Sequence, residues 1–244
     1  MATLSLQGKS ALVTGGARRI GREISLALAH AGADVTLTWR SSQAEAQQTA
    51  QAIRDLGRRA QAVHCDVRLE ELVRMAVGAS VAFHGRLDIL VNNAAVFQSA
   101  PLDSITLEQW DAIFATNTRG PFLVAREAIP HLRASRGRII NIGSLGGIRP
   151  WADHGHYCAS KAALHILTQV MAKAFAPEVT VNCVAPGWVE MEESGSSAAA
   201  HFAAKTPLQR NASAADIASA VLNFAAGSGF VTGQILAVDG GLGL

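Results

Sequence analysis

Short apolar runs alternate with longer stretches of helical periodicity along almost the whole chain, and that rhythm leaves few folds open. Strands are expected over 11–13, 35–39, 60–65, 89–91, 138–142, 179–184 and 235–238. Between them, Ile20, Ile24, Leu28 and Ala31 repeat at near-helical spacing until Gly32. Further helices are expected over 43–56, closed by Gly57, and 69–84, closed by Gly85. Thr106–Gln109 is a T-x-x-Q capping box that opens a long helix, a helix covers 157–176, and Ser213 to Asp216 caps another. Strands of about five residues alternating with helices of ten or more indicate βαβ units around a parallel sheet.

The chain is long enough to bury one large core. Of its 244 residues 49% are hydrophobic and 16% charged, which argues against disorder. Net charge is only +2 and the Lys and Arg residues are scattered, so no nucleic-acid footprint is expected. Cys65, Cys158 and Cys183 form neither a C-x-x-C pair nor a metal-spaced cluster, so no metal site is expected and a reducing compartment fits. Residues 1–9 hold no apolar run, and no apolar stretch approaches the ~20 residues of a membrane span. The expectation is a soluble, cytoplasmic protein without membrane partners. One domain over 1–244 is the simplest reading. The alanine-rich stretch 196–204 sits where a flap would cover a site, within an expected lid over 188–212.

Two segments carry chemistry. Thr14-Gly15-Gly16-Ala17-Arg18-Arg19-Ile20-Gly21 lies at the first strand-to-helix junction. Glycine there lets the backbone turn tightly and approach a diphosphate, and the helix N-terminus offers amide donors. Tyr157 and Lys161 stand at i and i+4 of a helix, hence on one face. A phenol with an ordinary pKa near 10 becomes a better acid/base at neutral pH when an ammonium lies one turn away. Ser144, just past the fifth strand, is at the end of a parallel sheet where ligands bind.

Together these segments resemble the short-chain dehydrogenase/reductase family. The glycine loop is similar to T-G-x-x-x-G-x-G, with Arg19 where the middle glycine is usual. Asp66-Val67 resembles the pair that touches adenine, although Asp66 is also a candidate helix N-cap. Asn92-Asn93-Ala94-Ala95 resembles N-N-A-G, Pro186-Gly187-Trp188-Val189 resembles the P-G segment, and 231–241 resembles a T-G-Q…D-G-G run. The threonine usual after P-G is missing; Glu190, Glu192 and Glu193 follow instead. The resemblance implies a Rossmann-type doubly wound α/β fold, a parallel sheet of about seven strands with helices on both faces. It implies a nicotinamide cofactor, a small-molecule carbonyl or alcohol substrate and a homotetramer, or else a homodimer.

The cofactor is expected to be NADP(H). Strand two ends Thr38-Trp39-Arg40-Ser41-Ser42, with no carboxylate before Glu45. A ribose diol calls for an acid there, whereas a 2′-phosphate calls for a cation and hydroxyls, which Arg40, Ser41 and Ser42 supply with Arg18 or Arg19. Gly15, Ile20, Gly21, Asp66, Val67, Asn93, Ala94, Ala95, Pro186, Gly187 and Val189 complete the expected cofactor contacts, with Tyr157 and Lys161 at the nicotinamide end. By resemblance Asn117, Ser144, Tyr157 and Lys161 form the catalytic tetrad. Tyr157 exchanges the proton, Ser144 orients the oxygen, Lys161 binds ribose and lowers the Tyr157 pKa, and Asn117 holds a water. Pro121 makes a local break in the helix around Asn117 reasonable.

Phe97 and Trp188 are expected beside the substrate, with Ser144 and Tyr157. Arg19, Arg40 and Phe97 also resemble the pteridine reductase branch, in which a phenylalanine stacks on the pterin; Ser144, where that branch has aspartate, points to a general carbonyl reductase. Trp151, His154 and His156 flank the tyrosine, and His156 is a candidate pocket residue. Three readings compete: a ketone reductase, a pteridine reductase, and an inactive cofactor-binding regulator or scaffold, which has no chemical need for Ser144, Tyr157 and Lys161 together.

Overall fold

The computed structural model describes residues 5–190 and 196–244. Seven parallel strands form one sheet: β1 (Ser10–Val13), β2 (Asp34–Trp39), β3 (Ala60–His64), β4 (Ile89–Asn92), β5 (Arg138–Ile142), β6 (Thr180–Pro186) and β7 (Ile235–Val238). Their order is β3-β2-β1-β4-β5-β6-β7. The chain winds outward from β1 to β3, then crosses back to place β4 on the other side of β1. Such a reversal opens a crevice beyond the strand tips, where doubly wound sheets bind ligands.

Helices cover both faces, which is why the central strands β1 and β4 read as near-continuous apolar runs, while β2 alternates Val35, Leu37 and Trp39 with Thr36 and Thr38. On one face lie α1 (Arg19–His30), α2 (Gln43–Asp55) and α8 (Ala214–Ala226). Their Ile24, Leu28, Ile53, Ile217 and Val221 pack with Ala11, Val13, Ile89, Val91 and Ile140 of the sheet. On the other lie α3 (Glu70–His84), α5 (Gly120–Ser135) and α6 (Gly155–Phe175). There Val77, Val124, Leu132 and Met171 meet Leu12, Leu90, Ile139 and Val181. Neighbouring strand residues thus feed opposite cores, the two-residue period of a strand. Each fully buried Val, Leu or Ile among them contributes roughly 1.5–3 kcal/mol.

The expected capping boxes are present: Thr106 with Gln109 opens α4 (Leu107–Phe114), and Ser213 with Asp216 opens α8. Two features differ from the sequence reading. The helix begun at Thr106 is interrupted by a π-helical turn, Ala115–Arg119, before it resumes as α5. The alanine-rich stretch forms a helix, α7 (Ser196–Lys205). Alanine has the highest helix propensity, so this follows from composition without any amphipathic signal. Of the acidic trio, Glu192 and Glu193 lie outside the described residues, while Glu190 is exposed. Among the described residues no helix is long and apolar enough to cross a membrane.

Candidate active site

The loops leaving β1, β2, β3 and β4 enclose a cleft of about 270 Å³. Its floor is the glycine turn. Gly15 adopts φ +62°, and a Cβ there would lie 3.0 Å from Ala94 Cα. A Cβ on Gly21 would collide with the Gly15 carbonyl oxygen and stand 2.5 Å from Asn93 Nδ2. Any side chain at these places would fill the cradle, so the backbone here is built for close approach. Arg19 takes a left-handed φ of +52°, the conformation that explains why glycine is usual at this position. Asn93 holds the turn from the side: its Nδ2 donates to the carbonyls of Thr14 (3.0 Å) and Gly15 (2.9 Å).

Arg18, Arg19, Arg40, Ser41 and Ser42 border this cleft together with Asp66, Val67, Ala94 and Ala95. The two arginines at 18 and 40 are exposed. Asp66 is not a helix cap: the N-cap position of α3 is Leu69. Instead its carboxylate accepts from the Arg68 amide (3.0 Å) and pairs with the Arg68 guanidinium (2.5 Å). That hydrogen-bonded cation holds the Asp66 carboxyl below its ordinary value. A glycine cradle with cations and hydroxyls at one end has the donor set that a phosphorylated dinucleotide requires.

Ile20, Asn93 and Ala95 also border a second cavity of about 710 Å³. It lies past the ends of β5 and β6 and brings together Ser144, Tyr157, Lys161, Phe97, Pro186, Gly187, Trp188 and Val189. Tyr157 and Lys161 share one face of α6, with Lys161 Nζ 5.9 Å from the centre of the phenol ring. The buried ammonium donates to the Ile142 carbonyl (2.8 Å) at the tip of β5. Burial pulls the Lys161 pKa down to about 8. Burial pushes the Tyr157 phenol up, opposed by its hydrogen bond with the Ser144 hydroxyl. The chain's own groups therefore leave the phenol protonated at neutral pH, carrying the proton to be transferred, and raise its pKa rather than lower it as the Tyr-Lys spacing alone suggests.

Asn117 sits in the π-helical turn and is 1% exposed. Its side chain is fully committed: Oδ1 accepts from the Val96 amide (2.9 Å), while Nδ2 donates to the Val96 carbonyl (2.9 Å) and Ser160 Oγ (3.1 Å). Ser160 Oγ in turn donates to the Tyr157 carbonyl (2.8 Å). Asn117 thus ties the loop after β4 to the first turns of α6 and does not line the cavity among the residues that border it.

Sequence reasoning missed two residues here. His165, one turn beyond Lys161 and buried, accepts the Ser144 amide on Nε2 (3.4 Å). Phe202 reaches the cavity from α7 and stacks on Trp188 at 4.3 Å. His165 was legible only as spacing, Tyr157, Lys161 and His165 at four-residue steps; nothing in the sequence marked Phe202. The candidate His156 is wholly buried, does not border the cavity, and neither ring nitrogen has a hydrogen-bond partner. Among the described residues no group of His, Cys, Asp and Glu could hold a metal ion.

Comparison with known proteins agrees with this geometry. Residues 15–243 match a family model described as enoyl-(acyl carrier protein) reductase. An uncharacterised oxidoreductase of Methylorubrum extorquens is 37% identical, covering 97% of this chain and 98% of that one. The trihydroxynaphthalene reductase of Colletotrichum orbiculare is 35% identical over 98% of this chain and 91% of its own. The crystal structure of a short-chain dehydrogenase from Burkholderia cenocepacia, in complex with NADP, superposes with a TM-score of 0.93 at 38% identity, covering 98% of this chain and 99% of that one. A strand order that opens a crevice over a glycine cradle, a Ser-Tyr-Lys group at its far end and these relatives lead to one conclusion: the chain belongs to the short-chain dehydrogenase/reductase family of oxidoreductases.

Proposed function

We propose that this protein is an NADPH-dependent reductase of small-molecule carbonyl compounds, with Tyr157 as the proton donor. One observation carries the reading. Ser144, Tyr157 and Lys161 converge on a single cavity that shares Ile20, Asn93 and Ala95 with the glycine-floored cleft. NADP in the Burkholderia cenocepacia relative supports the cofactor choice, as do Arg40, Ser41 and Ser42 in place of a carboxylate at the end of β2.

When bound, the reduced nicotinamide supplies the hydride. Gly15 and Gly21 let the backbone meet the diphosphate, and Arg18, Arg19 and Arg40 neutralise the phosphates. Pro186, Gly187 and Val189 border the end of the cavity assigned to the nicotinamide ring. Ser144 orients the carbonyl oxygen by a hydrogen bond, and Tyr157 donates its proton to that oxygen as negative charge develops. Lys161, one turn from Tyr157, contributes to holding the ribose. Asn117 keeps the turn of α6 that carries Tyr157 in place. Residues 188–212 serve as the lid, bringing Trp188 and Phe202 over the substrate.

Tyr157→Phe is expected to lower carbonyl-dependent NADPH oxidation at least about 1,000-fold while calorimetry finds NADPH binding within a factor of about 2–3. Full activity in that variant would overturn the assignment. The wild-type enzyme is expected to favour NADPH over NADH at least about tenfold in kcat/KM, roughly 1.4 kcal/mol; equal values would remove the cofactor argument. The family resemblance also leads us to expect a homotetramer, and light scattering that returned the mass of one chain would refute it.

A further inference from the structure

The chain has eight phenylalanines, four tryptophans and one tyrosine, and five of these thirteen residues surround the cavity at Tyr157. With His154 they make an unbroken series of ring contacts. Tyr157 meets Phe97 edge to face at 4.9 Å and 84°. Phe97 meets His154 at 4.9 Å, and His154 meets Trp151 at 6.0 Å. Trp151 meets Phe202 at 6.5 Å, and Phe202 lies flat on Trp188 at 4.3 Å with 13° between the planes. Phe97 is 59% exposed although it sits against the phenol, so its ring is offered to a ligand rather than consumed by the core.

The charges on the cavity wall narrow the occupant further. Among the described lining residues Lys161 is the one cation; one of its N–H groups donates to the Ile142 carbonyl, and in the reading above the others face the ribose rather than the substrate rings. Among the described residues that border it, Asp153 is the one carboxylate and none is an arginine. A carboxylate or phosphate on the substrate would be desolvated here without a counter-ion. An alkyl chain would gain burial alone, whereas a flat π system also gains the quadrupole contact, about two- to tenfold in affinity for each ring pair.

We propose that the substrate is a flat, uncharged fused-ring ketone, its rings held by this aromatic belt and its oxygen delivered to Tyr157 and Ser144. The proposal rests on the reductase reading above and names the substrate class of that same site. The carbonyl carbon accepts a hydride from the reduced dinucleotide and the oxygen accepts the Tyr157 proton. The products are a ring alcohol and the oxidised dinucleotide, and the phenol regains its proton from solvent.

The test uses the full-length enzyme with NADPH and three probes: 2-tetralone, cyclohexanone and acetoacetyl-CoA. The expected result is a kcat/KM for 2-tetralone about 4- to 100-fold above the other two, the product of two ring contacts. Phe97→Leu is expected to reduce the tetralone-to-cyclohexanone ratio about two- to tenfold, mainly through KM. Calorimetry of 2-naphthol and cyclohexanol against enzyme saturated with NADP+ gives a readout independent of turnover, with 2-naphthol expected to bind tighter. Equal kcat/KM values, a preference for acetoacetyl-CoA, or equal binding of the two alcohols would overturn the belt as the specificity device. Tight 2-naphthol binding without reduction of any carbonyl would sustain the aromatic site and refute the reductase reading instead.

Discussion

An imidazole wedged between two glycines sets the pose of Ser144. A Cβ on Gly143 would collide with the His165 ring, and one on Gly147 would stand 2.7 Å from its Cε1. Both positions are therefore glycine because His165 fills the space a side chain would take. The ring is neutral: burial and the neighbouring Lys161 ammonium pull its pKa down to about 4. Neutral imidazole can accept on one nitrogen and donate from the other, and here Nε2 accepts the Ser144 amide. His165→Leu removes that acceptor and leaves a buried N–H unpaired, at a cost of about 1–3 kcal/mol. We expect kcat to fall about tenfold, in line with a shift of Ser144 worth about 1.4 kcal/mol in the transition state, while NADPH affinity is retained. Steady-state kinetics beside NADPH titration checks this, and an unchanged kcat would show that Ser144 is held by other contacts. The sequence announced Tyr157, Lys161 and Ser144 through spacing and position, because their chemistry requires a fixed spacing. It could not announce His165, whose function depends on where the loop after β5 folds back over α6.

The π-helical turn between α4 and α5 does for Asn117 what glycine does for Ser144. Pro121 has no N–H, so the Asn117 carbonyl has no ordinary i+4 donor, and the Gly120 amide reaches back to Ala115 instead. The extra residue rotates Asn117 inward to Val96 and Ser160, and Thr118 onto the Ser160 carbonyl (3.0 Å). Pro121→Ala supplies the missing donor and lets an α-helical turn form in place of the π turn. The expected outcome is a loss of about tenfold or more in kcat, about 1.4 kcal/mol, with little change in melting temperature. Equal activity in the variant would show that proline does not maintain the turn. At this scale the sequence was informative. Gly32, Gly57 and Gly85 marked helix ends, and the strand positions followed from apolar runs that both helical layers bury. A break near Asn117 was legible from Pro121, but its π geometry was not, since that depends on tertiary hydrogen bonds to α6. Helix α7 was not read as a helix, because its alanines carry propensity without an apolar stripe.

The whole molecule stores its acid sensitivity in buried histidines rather than in its paired carboxylates. Asp88 is held below its ordinary pKa because Arg86, Lys9 and the Ser10 amide outweigh its burial; Asp66 is held down by Arg68. For such acids the stabilisation is complete above the ordinary carboxylate range and is lost only as pH falls through the lowered values. His165 behaves differently. Its folded pKa of about 4 lies below its ordinary 6.5, so between these values the unfolded chain binds the proton and the folded chain does not. Stability must then fall with pH across that window, and is fully present above 6.5. At ~1.4 kcal/mol per pH unit the His165 contribution lost by pH 4 is about 3 kcal/mol. Burial also lowers His84 and His156, which adds to the loss in the same direction. Denaturant titration at pH 7, 6, 5 and 4.5 is expected to show a steady decline well before the carboxylates titrate. In His165→Asn, which cannot take up a proton, the slope over that range is expected to be shallower. A wild-type profile that stayed flat from pH 7 to 4.5 would mean that the imidazole takes its proton in the folded protein, and that the contact between His165 and the Ser144 amide gives way to admit it.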